Sequence, residues 1–475
     1  MATLAYERLD GLGLAALVRS GEVDPRELIE AVHTRIETLN PRINAVIHVS
    51  RDISALAAAD INRDAPFCGV PFFMKDLGAV VAGVPMQAGC RYLADHPIPV
   101  TADSDLTARF KQAGFVIVGH TNVPEFGLNL TTEPALNGPT RNPWDTDRSA
   151  GGSSGGAAAA VAAGLAPIAH ATDAAGSIRV PAACCGLVGL KPSRGITPQG
   201  PNFNNHLSGL ASEHVVTRTV RDCDAVFKAV SNYRSVLPRS ADDSAKPAAR
   251  RIALLNGSGA TTAIDPACAD AVLRTGRHLE TLGHHVQVLD PAVLVASMEA
   301  AGLVLKTLLT AHLAWIVDQI PELRNVSAIP DGFEPMTWAF VQAGRQVSAN
   351  ALLNAQRRML TISYEVEGLF TDFDVLLTPT LAYPPPPLGS FPTGGEDVDT
   401  HLARIGSFAP FIALFNISGQ PAISVPATRS AQGLPLGVQL VGRLGDDRVL
   451  LQLARQLEQA QPWNSWFPVN VEPSA

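Results

Sequence analysis

RSAGGSSGGAAAAVAAGLAPIAHATDAAGSIRVPAACCGLVGLKP, residues 148–192, is the stretch whose reading decides the fold. A run of this length with so little charge belongs in an interior, yet Ser153, Ser154 and Ser177 place hydroxyls inside it. Buried hydroxyls need hydrogen-bond partners, so the stretch has to fold back on itself or on other strands. Taken alone, Gly151-Gly152-Ser153-Ser154-Gly155-Gly156 has the composition of a flexible linker. The context points elsewhere. Ala157 to Ala166 is a helix-forming run, so the glycines read as a tight loop that lets backbone approach backbone before a buried helix begins. Leu165 to Ala171 then reads as a buried strand.

Working outward, the flanking segments alternate between strand and helix patterns. Upstream, Leu12 to Ile47 shows helical spacing broken by Gly21-Glu22-Val23-Asp24-Pro25, with Asp24 placed to cap a second helix whose first residue is Pro25 and whose capping partner is Glu27. Val70 to Met74 and Phe115 to Gly119 are short apolar strand candidates, separated by a helix over Leu106 to Ala113. Downstream, Ile252 to Leu255 is a strand, with helices predicted over Asp222 to Ser231 and Ala267 to Leu282. His284 to Val288 reads as an edge strand with its two histidines exposed. Ala292 to Leu369 is mostly helical. Asp374 to Leu377, Ala422 to Pro426 and Leu436 to Val441 are late strands, the last two paired around a turn at Gln432 to Pro435, before a helix over Asp447 to Gln459. The expected fold class is therefore α/β, with a central mixed twisted sheet covered by helices on both faces. Composition shifts little along the 475 residues. One domain is expected over 1–475, with a helical lead-in at about 1–60 and a variable, substrate-side helical segment at about 292–369.

Three groups of residues in this pattern carry a resemblance. Gly151 to Gly156, then Asp173-Ala174-Ala175-Gly176-Ser177-Ile178-Arg179-Val180-Pro181-Ala182, then Gly69-Val70-Pro71-Phe72-Phe73-Met74-Lys75-Asp76 resemble the motifs of the amidase signature family of serine hydrolases, at that family's spacing. The likeness extends to Thr140 through Trp144, Gly186 through Gly195, Leu377 through Thr380 and Gly419 through Ala422. It implies a catalytic trio of Lys75, Ser153 and Ser177, with Ser177 as nucleophile and Ser153 held in a cis peptide bond. It also implies an oxyanion hole from the backbone amides of Ala174, Ala175, Gly176 and Ser177. Many members carry glycine where this chain has Ala175, so the loop here bears an extra methyl.

The residue types fit the implied chemistry. A serine hydroxyl needs a base within hydrogen-bond reach, and neither serine motif supplies a histidine in that role; His170 reads as structural. A lysine serves as base when burial removes the advantage of its charged form. Lys75 follows an apolar run, as such a lysine should, although an isolated Lys75-Asp76 would read as a surface ion pair. Ser154, Asp173 and Arg179 are expected to support the two loops, since a buried Asp and Arg are more often paired scaffold than catalysts. No metal and no organic cofactor are required.

Composition narrows the partners. With 36 basic and 44 acidic residues the net charge is −8, which offers no basic patch for nucleic acid and no polybasic membrane anchor. The six cysteines lack C-x-x-C pairs, and adjacent Cys184 and Cys185 read as small reduced core residues. The opening MATLAYERLDGL has neither a basic nor an apolar leader region, so a cytoplasmic location is expected. The expected partner is a small amide or carbamate, with a homodimer compatible with the sequence. Within the family the likeness is to bacterial amidases of small linear or cyclic amides and to carbamate-cleaving enzymes. Leu303, Leu305, Leu308, Leu309, Trp315, Trp338 and Phe340 are candidates for an apolar wall. Two other readings stay open at this point. One is the glutaminase subunit of a tRNA-dependent amidotransferase, which would need a partner protein; the other is a catalytically silent binding protein on the same fold.

Overall fold

The computed structural model describes residues 8–51, 62–201, 206–231, 248–259, 262–395, 397–463 and 468. The expected lead-in at about 1–60 is thus seen from residue 8 to residue 51. It begins with the helices Gly11–Ser20 and Pro25–Ile43, the second opened by the Asp24–Glu27 capping box. Helical spacing in the sequence runs on to Ile47, but the chain leaves the helix at Asn44, whose φ of 49° is left-handed. Val46 then starts a strand, because the Asn40 side chain takes up the amides of Ala45 and Val46 and turns the chain out of the helix.

The strands in chain order are β1 (Val46–Val49), β2 (Val70–Lys75), β3 (Phe115–Thr121), β4 (Arg141–Asn142), β5 (Asp145–Ser149), β6 (Ile168–Asp173) and β7 (Val188–Lys191). They continue as β8 (Ser212–Thr217), β9 (Arg251–Leu254), β10 (His285–Val288), β11 (Val375–Pro379), β12 (Ala422–Arg429) and β13 (Pro435–Gly442). All but β4 and β5 join one sheet in the order β1-β3-β2-β6-β8-β7-β12-β13-β11-β9-β10. Its β3-β2-β6 and β11-β9-β10 portions are parallel and its remaining ladders antiparallel. Strands from residue 46 to residue 442 therefore share one hydrogen-bonded frame.

Both faces of the sheet are covered. Alternation along single strands divides the core: Ile252, Leu254, Val375 and Leu377 pack under the helices Val220–Val230, Pro266–Thr281 and Asp447–Ala460. The intervening Ala253 and Leu376 face the helices Ala292–Val317, Ala349–Leu369 and Ile412–Ser418 on the other side. The helix Ala292–Val317 is long and apolar enough to span a membrane by length and composition, and it packs against the helices Pro335–Arg345, Ala349–Leu369, Val398–Phe408 and Ile412–Ser418 here. All six cysteines are buried and unpaired with one another. At the sheet edge one expectation is corrected: His285 is exposed, but His284 is buried. Its Nδ1 accepts from the Arg250 amide at 3.1 Å and its Nε2 meets Gln456 Oε1 at 2.8 Å, which ties the edge to the C-terminal helix.

Candidate active site

The glycine-serine loop lies against backbone on both sides. A Cβ on Gly152 would stand 2.5 Å from the Thr131 carbonyl oxygen, and one on Gly156 would stand 2.4 Å from the Asn122 amide nitrogen. No side chain fits at either position, so the loop sits flush on the segment after β3 and the helix Gly155–Ala162 starts fully buried. The Gly152–Ser153 peptide bond is cis. The Ser154 hydroxyl bridges to β6, donating to the Thr172 carbonyl and accepting from the Thr172 amide, each at 3.3 Å.

The neighbouring strand β2 presents its last side chain to Ser153. At the end of β2, Lys75 is 1% exposed and donates from Nζ to Ser153 Oγ at 2.8 Å and to Thr172 Oγ1 at 2.7 Å. It makes no ion pair among the described residues. Burial pushes its pKa down from the ordinary 10.5 to about 7, against the opposing pull of the Glu213 and Asp173 charges. The neighbouring Asp76 does not neutralise it. Asp76 turns the other way, its Oδ1 accepting from the Gln87 amide at 3.0 Å, and burial lifts its carboxyl to about 7.

The turn after β6 carries Ser177, which is 6% exposed. Asp173 organises that turn. Its carboxylate accepts from the amides of Gly176 (2.7 Å), Ile178 (3.2 Å) and Arg179 (3.3 Å) and from Arg179 Nε and Nη2 at 2.9 Å each. Burial alone would raise the Asp173 pKa, but the Arg179 guanidinium and its hydrogen bonds hold the carboxylate well below the usual range. Arg179 also donates to the Ile412 carbonyl at 3.1 Å and Gln439 Oε1 at 2.7 Å, and Asn416 Nδ2 donates back to Asp173 Oδ1 at 2.9 Å. Of the four amides read from the sequence as an oxyanion hole, that of Gly176 is thus taken by Asp173. The amides of Ala174, Ala175 and Ser177 carry no such bond to Asp173.

Apolar walls flank these loops. Ala174 and Ala175 pack in a cluster with Leu305, Leu308 and Phe411, whereas Leu77, Phe126 and Leu128 belong to one with Phe333, Met336 and Trp338. Leu309 packs against both, which places the helix Ala292–Val317 across the two halves. Leu303 and Trp315, candidates for that wall, are 72% and 60% exposed and belong to neither cluster. Sequence reasoning passed over Thr172, Asn416 and Gln439. For Thr172 a signal was present: His170 and Thr172 are polar residues two apart in an apolar strand and so share a face. Asn416 and Gln439 lie more than 200 residues from Arg179 and carry no local signal.

A buried lysine hydrogen-bonded to a serine of a glycine loop, with a second serine in the turn that ends the adjacent strand β6, fits a serine-hydrolase type of site. A family model described as Amidase matches residues 27–451, and the chain belongs to the amidase signature family of amide hydrolases. It is 37% identical to the 6-aminohexanoate-cyclic-dimer hydrolase of Pseudomonas sp. (strain NK87), covering 98% of this chain and 97% of that protein. Among solved structures, 6-aminohexanoate cyclic dimer hydrolase complexed with substrate superposes with a TM-score of 0.91 at 34% identity, over 98% of this chain and 100% of that one. A bacterial aryl acylamidase of the same family superposes at 0.85 with 27% identity, over 98% and 99%.

Proposed function

We propose that the chain hydrolyses small hydrophobic amides, among them cyclic amides, anilides and carbamates, through an acyl-enzyme on Ser177. The observation that carries the reading is the contact of a buried Lys75, without an ion pair among the described residues, with Ser153 at 2.8 Å. Neutral Lys75 takes a proton from Ser153 as Ser153 takes one from Ser177, and Ser177 Oγ bonds to the substrate carbonyl carbon. The amides of Ala174, Ala175 and Ser177 stabilise the resulting oxyanion. Ser153 returns a proton to the departing nitrogen as the carbon–nitrogen bond breaks, and water then cleaves the acyl ester. The substrate class is supported by the apolar clusters around the loops and by relatives named for a cyclic dimer and for aryl acylamides. A glutamine amide side chain buried there without partners would lose about 1–3 kcal/mol, or one to two powers of ten in preference.

The test compares an acyl p-nitroanilide, an aryl carbamate and glutamine on the isolated chain, with a fluorophosphonate as active-site label. The anilide or carbamate should give the higher kcat/KM, and Ser177→Ala should lose both turnover and labelling. A preference for glutamine, or normal labelling of Ser177→Ala, would reject the reading.

A further inference from the structure

Behind Lys75 lies a second polar chain that the reaction steps leave unused. β6 runs between β2 and β8, and its Thr172 pairs directly across the ladder with Glu213. His170 and Thr172 face the same way, so with Glu213 they share one side of the β6–β8 ladder, and Lys75 reaches Thr172 from the end of the neighbouring β2. The Lys75 amide donates to His170 Nδ1 at 3.3 Å, which leaves the imidazole proton on Nε2. That nitrogen lies 2.9 Å from Glu213 Oε2 and donates to it. The same carboxylate oxygen accepts from the Ala79 amide at 2.8 Å. Glu213 therefore grips the chain on both sides of the lysine, at Lys75 through the imidazole and directly at Ala79. Gly78 lets it come that close: its φ is +107°, and a Cβ there would stand 2.7 Å from Glu213 Oε2.

We propose that Glu213 and His170 form a positioning pair for Lys75, with the carboxylate acting on the lysine both through the imidazole and through its charge. The proposal rests on the reading of Lys75 as the general base. Neither residue touches the reacting atoms. The titratable groups on the strands beside Lys75 are few: His120 on β3, His170 and Asp173 on β6, and Glu213 and His214 on β8. The helix Gly155–Ala162 behind it offers only Gly, Ala and Val. Burial holds His120 and His214 at about 3, so both are neutral at working pH. The charges that set the lysine's proton affinity are thus those of Glu213 and Asp173, and Asp173 is spent on Arg179.

Glu213→Gln keeps a side-chain oxygen for Ala79 and His170 while removing the charge. With a hydrophobic acyl p-nitroanilide as probe, the rising limb of kcat/KM against pH should move down by about one unit, the size expected for losing one nearby opposite charge. His170→Gln keeps a donor for Glu213 but no acceptor placed like Nδ1 for the Lys75 amide. It should lower plateau kcat roughly tenfold through a misplaced base, with KM within about twofold and the limb in place. A Glu213→Gln profile that superposes on the wild type, or full plateau kcat in His170→Gln, overturns the proposal. If Glu213→Gln does not fold, the His170→Gln measurement decides it. A wild-type chain whose kcat/KM does not rise through neutrality would instead reject Lys75 as base, a failure visible before either variant is made.

Discussion

Replacing Lys75 by methionine should kill the enzyme and make it more stable. Methionine keeps the unbranched apolar stem of Lys75 in a site that is 1% exposed, so packing changes little. In the folded chain Lys75 titrates at about 7 rather than 10.5, because burial disfavours the ammonium ion. Unfolding therefore takes up a proton at every pH between those two values. The contribution of Lys75 to wild-type stability consequently rises with pH through that window by about 1.4 kcal/mol per unit, and is lowest at and below pH 7. At pH 7 the lysine costs the fold about 5 kcal/mol, from a shift of roughly 3.5 units at that rate. The variant escapes this but strands two hydroxyls, Ser153 Oγ and Thr172 Oγ1, at about 1 kcal/mol each. The net gain is about 3 kcal/mol at pH 7, shrinking to about zero near pH 9. Urea denaturation of both proteins side by side at pH 7, 8 and 9 measures it. A Lys75→Met protein less stable than wild type at pH 7, or a gap between the two that does not narrow with rising pH, would refute the argument that burial holds Lys75 near neutrality.

Two further expectations concern its neighbours. Thr172→Val removes one of the two hydrogen bonds that aim Nζ, and should lower kcat by about tenfold while leaving fluorophosphonate labelling of Ser177 detectable; the ratio of kcat to labelling rate reports it. Arg179→Met leaves the Asp173 carboxylate buried without its cation, which should cost about 3–5 kcal/mol and show as a large fall in melting temperature. An Arg179→Met protein melting with the wild type would mean that the Asn416 and backbone donors suffice to hold Asp173.

The sequence was most legible where chemistry and conformation coincide in a few adjacent residues. Asp24, Pro25 and Glu27 announce a helix start because all three capping interactions are local, and the structure forms each of them. The strands at Val70, Phe115, Ile252 and Val375 are short, apolar and bounded, so their pattern survives any tertiary context. Ile47 was misread because its helical spacing is genuine, and only the Asn40 side chain, acting through the amides of Ala45 and Val46, ends the helix earlier. His284 looked exposed because nothing nearby in sequence says that Gln456 will meet it. At the site the same division holds. Lys75, Ser153 and Ser177 stand in compact motifs, whereas the engagement of the Gly176 amide by Asp173 is a matter of which way one N–H points, and no residue type encodes that.

The Asp173 carboxylate is finished by parts of the chain that are made last. Its partner Arg179 leans on Asn416 and Gln439, and Asn416 Nδ2 also donates to the Asp173 carbonyl, a contact spanning 243 positions. A ribosome that has exposed Lys75, Ser153 and Ser177 has therefore released every proposed catalytic side chain without yet releasing what holds the nucleophile's turn. During synthesis the chain should stay inert towards amides and fluorophosphonates until residues beyond 439 have emerged. A reactive serine would then be a stamp of completed manufacture, and a prematurely terminated copy ending before residue 412 would be harmless as a hydrolase.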